Sequence, residues 1–375
     1  MNQQTIRNLT LFDLLARSWK RPSPIADVRF SADGTAVAFS GTDGSIAIAP
    51  TTDAEPPEQR IRVSVDLGQT TIRPRKNPPA PITAAAIRND GDAPLAAFRK
   101  TGFVCGDATG AVLGLTCTGE VEETLFRTEA GPVIAVDHSG QTGITIATDG
   151  DHLYLSRASG DKTRYGRGPG SHIEALAISP DGSQVAASFA DGLSIWNLDG
   201  ATAALHEIAL PSRPHCLQWK ADGKALACSL EGGGFGLVDL QRGCVERFPD
   251  FPASVRSLSW SNPADAFVAS GAFRIAAWSS HASQKSEDRA ALVTGRAGLV
   301  LVDAVAAHPR KALVAAGYAN GQIVVAEIGA RDEMLVRSAG GVVTALAWSA
   351  DGAHLALGDA SGTAAIITFP HQMFK

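Results

Sequence analysis

Eight stretches of this 375-residue chain follow one grammar: an apolar run, a turn of the Ser-Ala-Asp-Gly or Ser-Pro-Asp-Gly kind, a run rich in Ala and Ser, a second turn, and a third apolar run. The clearest copy, IEALAISPDGSQVAASFADGLSIWNL, starts at Ile173. Others start at Ile25, His215, Val255, Leu301 and Val342, with weaker ones at Ile82 and Val133. A unit this short cannot bury its own faces and must stack on its neighbours. Length alone would argue for two or three domains, because single cores stop growing near 250 residues. A closed array of repeats escapes that limit, so residues 1–375 are expected to form a single domain.

The turns identify the runs as strands. Asp33-Gly34, Asp181-Gly182, Asp222-Gly223 and Asp351-Gly352 mark the first turn, and Asp43-Gly44, Asp191-Gly192 and Asn320-Gly321 the second. These are the dipeptides of two-residue hairpins in which both central residues take positive φ. Segments between copies, such as 202–210 and 245–249, supply a fourth, more exposed strand. Four antiparallel strands recurring every forty or so residues describe a propeller blade. The 38 Gly and 20 Pro fit a chain punctuated by turns, so the fold class is all-β.

The aromatic before the first turn (Phe30, Trp219, Trp260, Trp348), the apolar-SPDG-apolar core and the Trp196-Asn197 pair closing a third strand resemble the WD40 repeat family over roughly Ile25 to Phe369. The copies are degenerate. The family's Gly-His dipeptide is missing, with His172 nearest to it, and its Trp-Asp pair survives as Trp196-Asn197, Val238-Asp239 and Trp278-Ser279. The resemblance implies a WD40-like β-propeller of four-stranded antiparallel blades. Eight blades are favoured by the eight starts, and seven is the alternative, with the Ile82 copy then an insertion. It also implies closure by an N-terminal strand. Residues 1–20 provide that strand or a cap, with Asn8 to Ser18 as the segment, although Leu11, Leu14, Leu15 and Trp19 fit a helix as well. In one blade His172, Ser188, Asp191 and Trp196 match the family's buried hydrogen-bond chain.

Catalytic signals are absent. There is no G-x-S-x-G elbow and no Walker pattern, and Gly232-Gly233-Gly234-Phe235-Gly236 sits in a strand-to-strand turn rather than ahead of a helix. The nine histidines are scattered. His215-Cys216 reads as a packed core pair, and His308 and His354 as solvated turn residues. No metal or cofactor is expected, and no enzyme. The five cysteines show no CxxC spacing and read as buried reduced thiols. A net charge of −5 gives no global case for nucleic acid or anionic membrane. With no run of 18 apolar residues and no export-type leader, the expected address is cytoplasmic. Arg outnumbers Lys 24 to 9, which we read as the mark of a GC-rich, bacterial genome.

One distribution exceeds chance. Within six residues before the first strand, seven of eight copies carry a cation: Arg21, Lys76, Arg127, Arg167, Arg213, Arg296 and Arg337. With about 9% Lys plus Arg, roughly three or four would be expected. On a WD40-like ring these links lie on the top face, where guanidinium groups suit a carboxylate or phosphate partner. Alternatively, each pairs with a turn carboxylate such as Asp43, Asp107, Asp149, Asp191 or Asp359. The Pro-rich insertion at 51–81 and the polar loop at 280–290 read as mobile surface, with Arg73 to Lys76 an extension of the basic rim. The leading function is a non-enzymatic scaffold or adaptor that docks a protein or an acidic or phosphorylated peptide on that face and is monomeric outside its complex. The alternative is a metal-dependent propeller enzyme or small-ligand binder using the central channel.

Overall fold

The computed structural model describes residues 9–374 except 64–69, 88, 90, 130, 167–170, 200–203 and 281–290. Its first strands are Ile25–Phe30, Leu95–Phe98, Ala135–Ser139, Leu176–Ile178, Pro214–Trp219, Leu258–Ser261, Val302–Ala307 and Val343–Trp348. Each lies against the next, and the last against the first, so the eight sheets form an eight-bladed ring around a channel. Among the described residues seven blades have four antiparallel strands, in sequence order outward in six of them, while the outermost strand of blade 8 comes from the N-terminal segment. Blade 6 has three, plus a single bridge from Trp278 to Ala291.

The second strands explain the Ala and Ser runs. Ala36–Gly41, Gly102–Gly106 and Ile144–Thr148 are buried along their whole length, because a neighbouring blade covers each face. Small side chains let the blades approach within the narrowing wedge. A buried Ser near the end of the second strand recurs for a different reason. Ser188, Ser229 and Ser270 accept through Oγ the backbone N–H of Ala175, Cys216 and Ser257 at 2.9, 3.0 and 3.0 Å, each thirteen positions earlier. That bond satisfies the chain where it enters the first strand. Of the four residues expected to form the family's buried chain, Ser188 and Trp196 are fully buried, with Trp196 packed against Tyr165 and Phe189, whereas His172 and Asp191 are exposed.

The indoles ahead of the first turn join neighbouring blades. Trp219, Trp260 and Trp348 donate Nε1–H to the carbonyls of Ala177, Gln218 and Ala306 at 3.0, 3.0 and 3.1 Å, each on the preceding blade's first strand. In the Asp-Gly first turns only Gly takes positive φ (Gly34 +73°, Gly182 +72°, Gly352 +76°), so the two-residue hairpin geometry does not form there. The Asp instead accepts from the preceding Ser and from the N–H two residues on: Ser179 Oγ at 2.6 Å and Ser183 N at 3.1 Å reach Asp181. The recurring aspartates therefore shape turns.

Two boundaries differ from the sequence expectation. Ile82 does not open blade 2. Thr83–Ala84 is the fourth strand of blade 1, and blade 2 begins at Leu95. The N-terminal segment divides its labour: Leu11–Leu15 is a helix capped by a Thr10–Asp13 capping box, and Ala16–Lys20 is the closing strand, paired with Thr363–Thr368 of blade 8. The insertion is also more structured than a mobile loop. Pro57–Arg60 is helical, Ile61–Val63 pairs with Thr70–Ile72, and Arg75 grips Asp53 with two nitrogens at 2.6 and 2.7 Å.

Candidate functional site: the loop face

An antiparallel four-stranded blade sends its second-to-third turn and its link to the next blade to one end, here the loop face. The other two connections go to the opposite end. This rule sorts the predicted cations. Arg21, Arg127, Arg213, Arg296 and Arg337 fall on links that lead to the loop face. Lys76 does not: with blade 2 starting at Leu95, it lies in the third-to-fourth-strand connection of blade 1, where only its backbone is engaged, donating to Glu55. Arg167 lies outside the described residues. Arg75, expected on the rim, is committed to Asp53 on that same opposite connection.

The remaining five differ in availability. Arg337 realises the turn-carboxylate alternative: its side chain is buried, and Nη2 donates to the fully buried Asp359 at 2.9 Å. The Phe12 ring covers the guanidinium at 5.1 Å. Burial raises the Asp359 carboxyl, but hydrogen bonds from Ser361, Thr363 and Arg337 outweigh it and hold the group below the usual range. Arg213 pairs with Glu174 at 2.7 Å. Arg21 reaches Ser45 Oγ at 3.5 Å, and Arg127 donates to Thr109 Oγ1 at 3.0 Å. Arg296 is exposed, its backbone N–H bound to Glu333. Among the described residues Arg21, Arg127 and Arg296 make no ion pair with a carboxylate, so the series forms a broken arc rather than a ring.

Sequence reasoning missed further groups. Arg256 and Arg274 are exposed on blade 6, outside the six-residue windows. The inner strands also carry charge where they read as apolar. Arg29 bonds Asp27 at 2.8 Å, and Asp137 accepts from the backbone of His138 and Ile178, both at 2.8 Å. Burial raises the carboxyls of Asp137 and Asp303. A cavity of about 550 Å³ at the opposite mouth of the channel is walled in part by Arg29, Asp137, His138 and Gln218. A lone Asp inside the runs IADVRF, AVDHS and LVDAV was the signal for these groups. Among the described residues no three His, Cys, Asp or Glu side chains lie together as a metal set.

The histidine and cysteine readings change too. His308 is buried, not solvated. Its Nδ1 accepts from the N–H of Arg310 and Lys311 at 3.0 and 3.1 Å, which leaves Nε2–H to donate to Gly352 O at 3.2 Å. His354 is partly buried against Thr368 Oγ1 at 3.0 Å. His215 is half exposed beside Glu174, so it is no core pair with Cys216. All five thiols are free, and Cys117 and Cys244 are exposed.

No family model and no curated sequence matches the chain. Solved structures do. The C-terminal WD40 domain of Sif2 aligns over 93% of this chain and 96% of its own, with a TM-score of 0.63 and 13% identity. The fold is a WD40-type propeller. A chain from the mitotic checkpoint complex aligns over 75% of this chain and 89% of its own, with a TM-score of 0.57 and 13% identity. At that identity the likeness concerns the fold. Within this WD40-type ring the loop face carries the exposed cations described above.

Proposed function

We propose that this propeller is a non-enzymatic adaptor that docks a protein partner through an acidic segment on the loop face. The observation that carries the reading is the arc of Arg21, Arg127 and Arg296, three guanidinium groups on one face with no carboxylate partner among the described residues. Guanidinium groups held on short links between rigid strands, exposed at Arg127 and Arg296 and half-buried at Arg21, present fork-shaped donors at little ordering cost, which suits carboxylates or phosphoryl groups of a partner. The presence of one structural neighbour in a multiprotein assembly supports the same reading. The mixed charge of the channel, where Arg29 is paired with Asp27, offers no comparable set of free groups.

The test is fluorescence anisotropy with a labelled Glu-rich peptide, alongside capture of partners from the native host. Arg21→Glu, Arg127→Glu and Arg296→Glu combined should lower peptide affinity at least tenfold and abolish capture, with thermal stability kept within a few degrees. Unchanged binding by the triple variant overturns the reading.

A further inference from the structure

Among the described residues, three of the seven exposed large hydrophobic side chains, Phe273, Val293 and Leu299, fall in blade 6 and its link to blade 7. Leu299 is 94% exposed, twice any other in that set, and Phe273 is 45% exposed. Phe273 stands on the second-to-third turn of blade 6, and Leu299 on the link to blade 7. Two backbone bonds hold these strips together: Gly298 N donates to Phe273 O at 3.0 Å and Val302 N to Ala272 O at 2.9 Å. A third bond, from Arg256 N to Ser270 Oγ at 3.0 Å, ties the entry to blade 6 to the base of the same turn. The surroundings are cationic. Arg274 follows Phe273, Arg296 precedes Leu299 by three residues, and both are exposed. Of the carboxylates near these arginines, Glu333 accepts the N–H of Arg296, and Asp303, half-buried on the first strand of blade 7, feels the charge of Arg256.

A leucine exposed to this degree forfeits most of its burial free energy, and this one sits on a link fixed by backbone bonds. Apolar groups rimmed by one sign of charge mark a docking surface, and the sign selects the occupant. We propose that Phe273 and Leu299 form the anchor of the docking face and accept a bulky apolar side chain of an extended partner segment, whose flanking carboxylates engage Arg256, Arg274 and Arg296. This inference rests on the adaptor reading and assigns it a place and a specificity. The partner segment is acidic with one apolar residue at its centre, and discrimination comes from that residue rather than from charge alone.

The experiment uses the full chain and an array of synthetic dodecapeptides in which Leu, Phe or Ala stands at the centre of an Asp/Glu background, with a phosphoserine series and a short single-stranded DNA beside them. Leu- and Phe-centred peptides should bind at least tenfold more tightly than the Ala-centred ones. Leu299→Ser with Phe273→Ser should remove that preference while leaving the residual affinity for Ala-centred peptides intact. Arg274→Glu with Arg296→Glu should lower affinity for all acidic peptides together. Equal binding of Leu- and Ala-centred peptides, or an unaltered preference in the Ser variant, overturns the anchor but leaves the adaptor reading standing if charge reversal still abolishes binding. Binding of no peptide overturns both. DNA bound as tightly as the best peptide, independent of Leu299, assigns the face to nucleic acid and also overturns both.

Discussion

Arg337, the last residue of the fourth strand of blade 7, donates from Nη2 to Asp359 Oδ2 at 2.9 Å in the second-to-third turn of blade 8. The seam between two blades is thus closed by a buried ion pair beneath the Phe12 ring. Removing one member of a buried pair strands the other. Arg337→Ala is expected to cost about 3–5 kcal/mol in urea denaturation, whereas Arg337→Met with Asp359→Asn, which keeps an acceptor for the N–H groups of Ser361 and Thr363, should cost less. The Asp359 carboxyl lies below its ordinary range. Its contribution is therefore complete above the unfolded carboxylate pKa and is lost as pH falls through the folded one. Asp359→Asn should flatten stability against pH on the acid side of about pH 4; an unchanged slope would contradict the role of the pair.

Histidines set a second pH window. Burial, followed by the nearby Arg99 charge, pushes His138 down from 6.5 to about 4, and burial likewise lowers His308 and His354. Between those values the unfolded chain takes up a proton that folded His138 refuses, so stability declines as pH drops from 6.5 toward 4. Discounted for the ring's partial exposure to solvent, the loss from His138 alone is on the order of 1–2 kcal/mol. Denaturation midpoints at pH 7, 5.5 and 4.5 should fall less steeply in His138→Gln than in the parent chain.

The indole bonds from Trp219, Trp260 and Trp348 to the preceding blade are expected to contribute about 1 kcal/mol each. Single Trp→Phe substitutions keep most of the packing and remove the donor, leaving a carbonyl to find water. Effects near additive across the three, measured by thermal denaturation, are expected because the sites lie on separate seams. No loss in any single variant would show that packing alone carries these contacts.

Arg17 ties the closing strand to blade 1, donating to the carbonyls of Thr51 and Thr52, both at 2.8 Å. Arg17→Ala should destabilise by about 1–3 kcal/mol. Deleting residues 1–20 should do more, because the Thr363–Thr368 edge then presents unpaired N–H and C=O groups to other molecules. Light scattering should reveal concentration-dependent association of the truncated chain; a truncated chain that stays monomeric and keeps its melting temperature would refute a closing role.

The parts of the fold readable in advance were those written locally. The Ser-x-Asp-Gly turns, the aromatic before them and the small second strands each encode a contact within or beside one blade. Blade 2 was misplaced because ITAAAI mimics a first strand, whereas the real one, LAAF, is only four residues long and directly follows Pro94. The closing segment held both helix and strand signals, and the chain uses them in succession at Leu15 and Ala16. The cation series was visible, yet its availability was not. Whether an arginine meets Asp359, Glu174 or only Thr109 depends on where the next turn falls in space. Phe273 and Leu299 gave no sequence signal at all, since exposure of an apolar residue in a loop depends on the backbone bonds that fix it.

Pairing Ala16–Lys20 with Thr363–Thr368 joins the earliest described strand to the latest. Made in order on a ribosome, the opening strand emerges with no partner, and at roughly 5–20 residues per second its mate follows only after tens of seconds. Seven blades can stack vectorially in that interval. The eighth must wait, so the nascent chain carries a ready-made edge at each end, and the concentration of neighbouring nascent copies bears on how cleanly the ring seals.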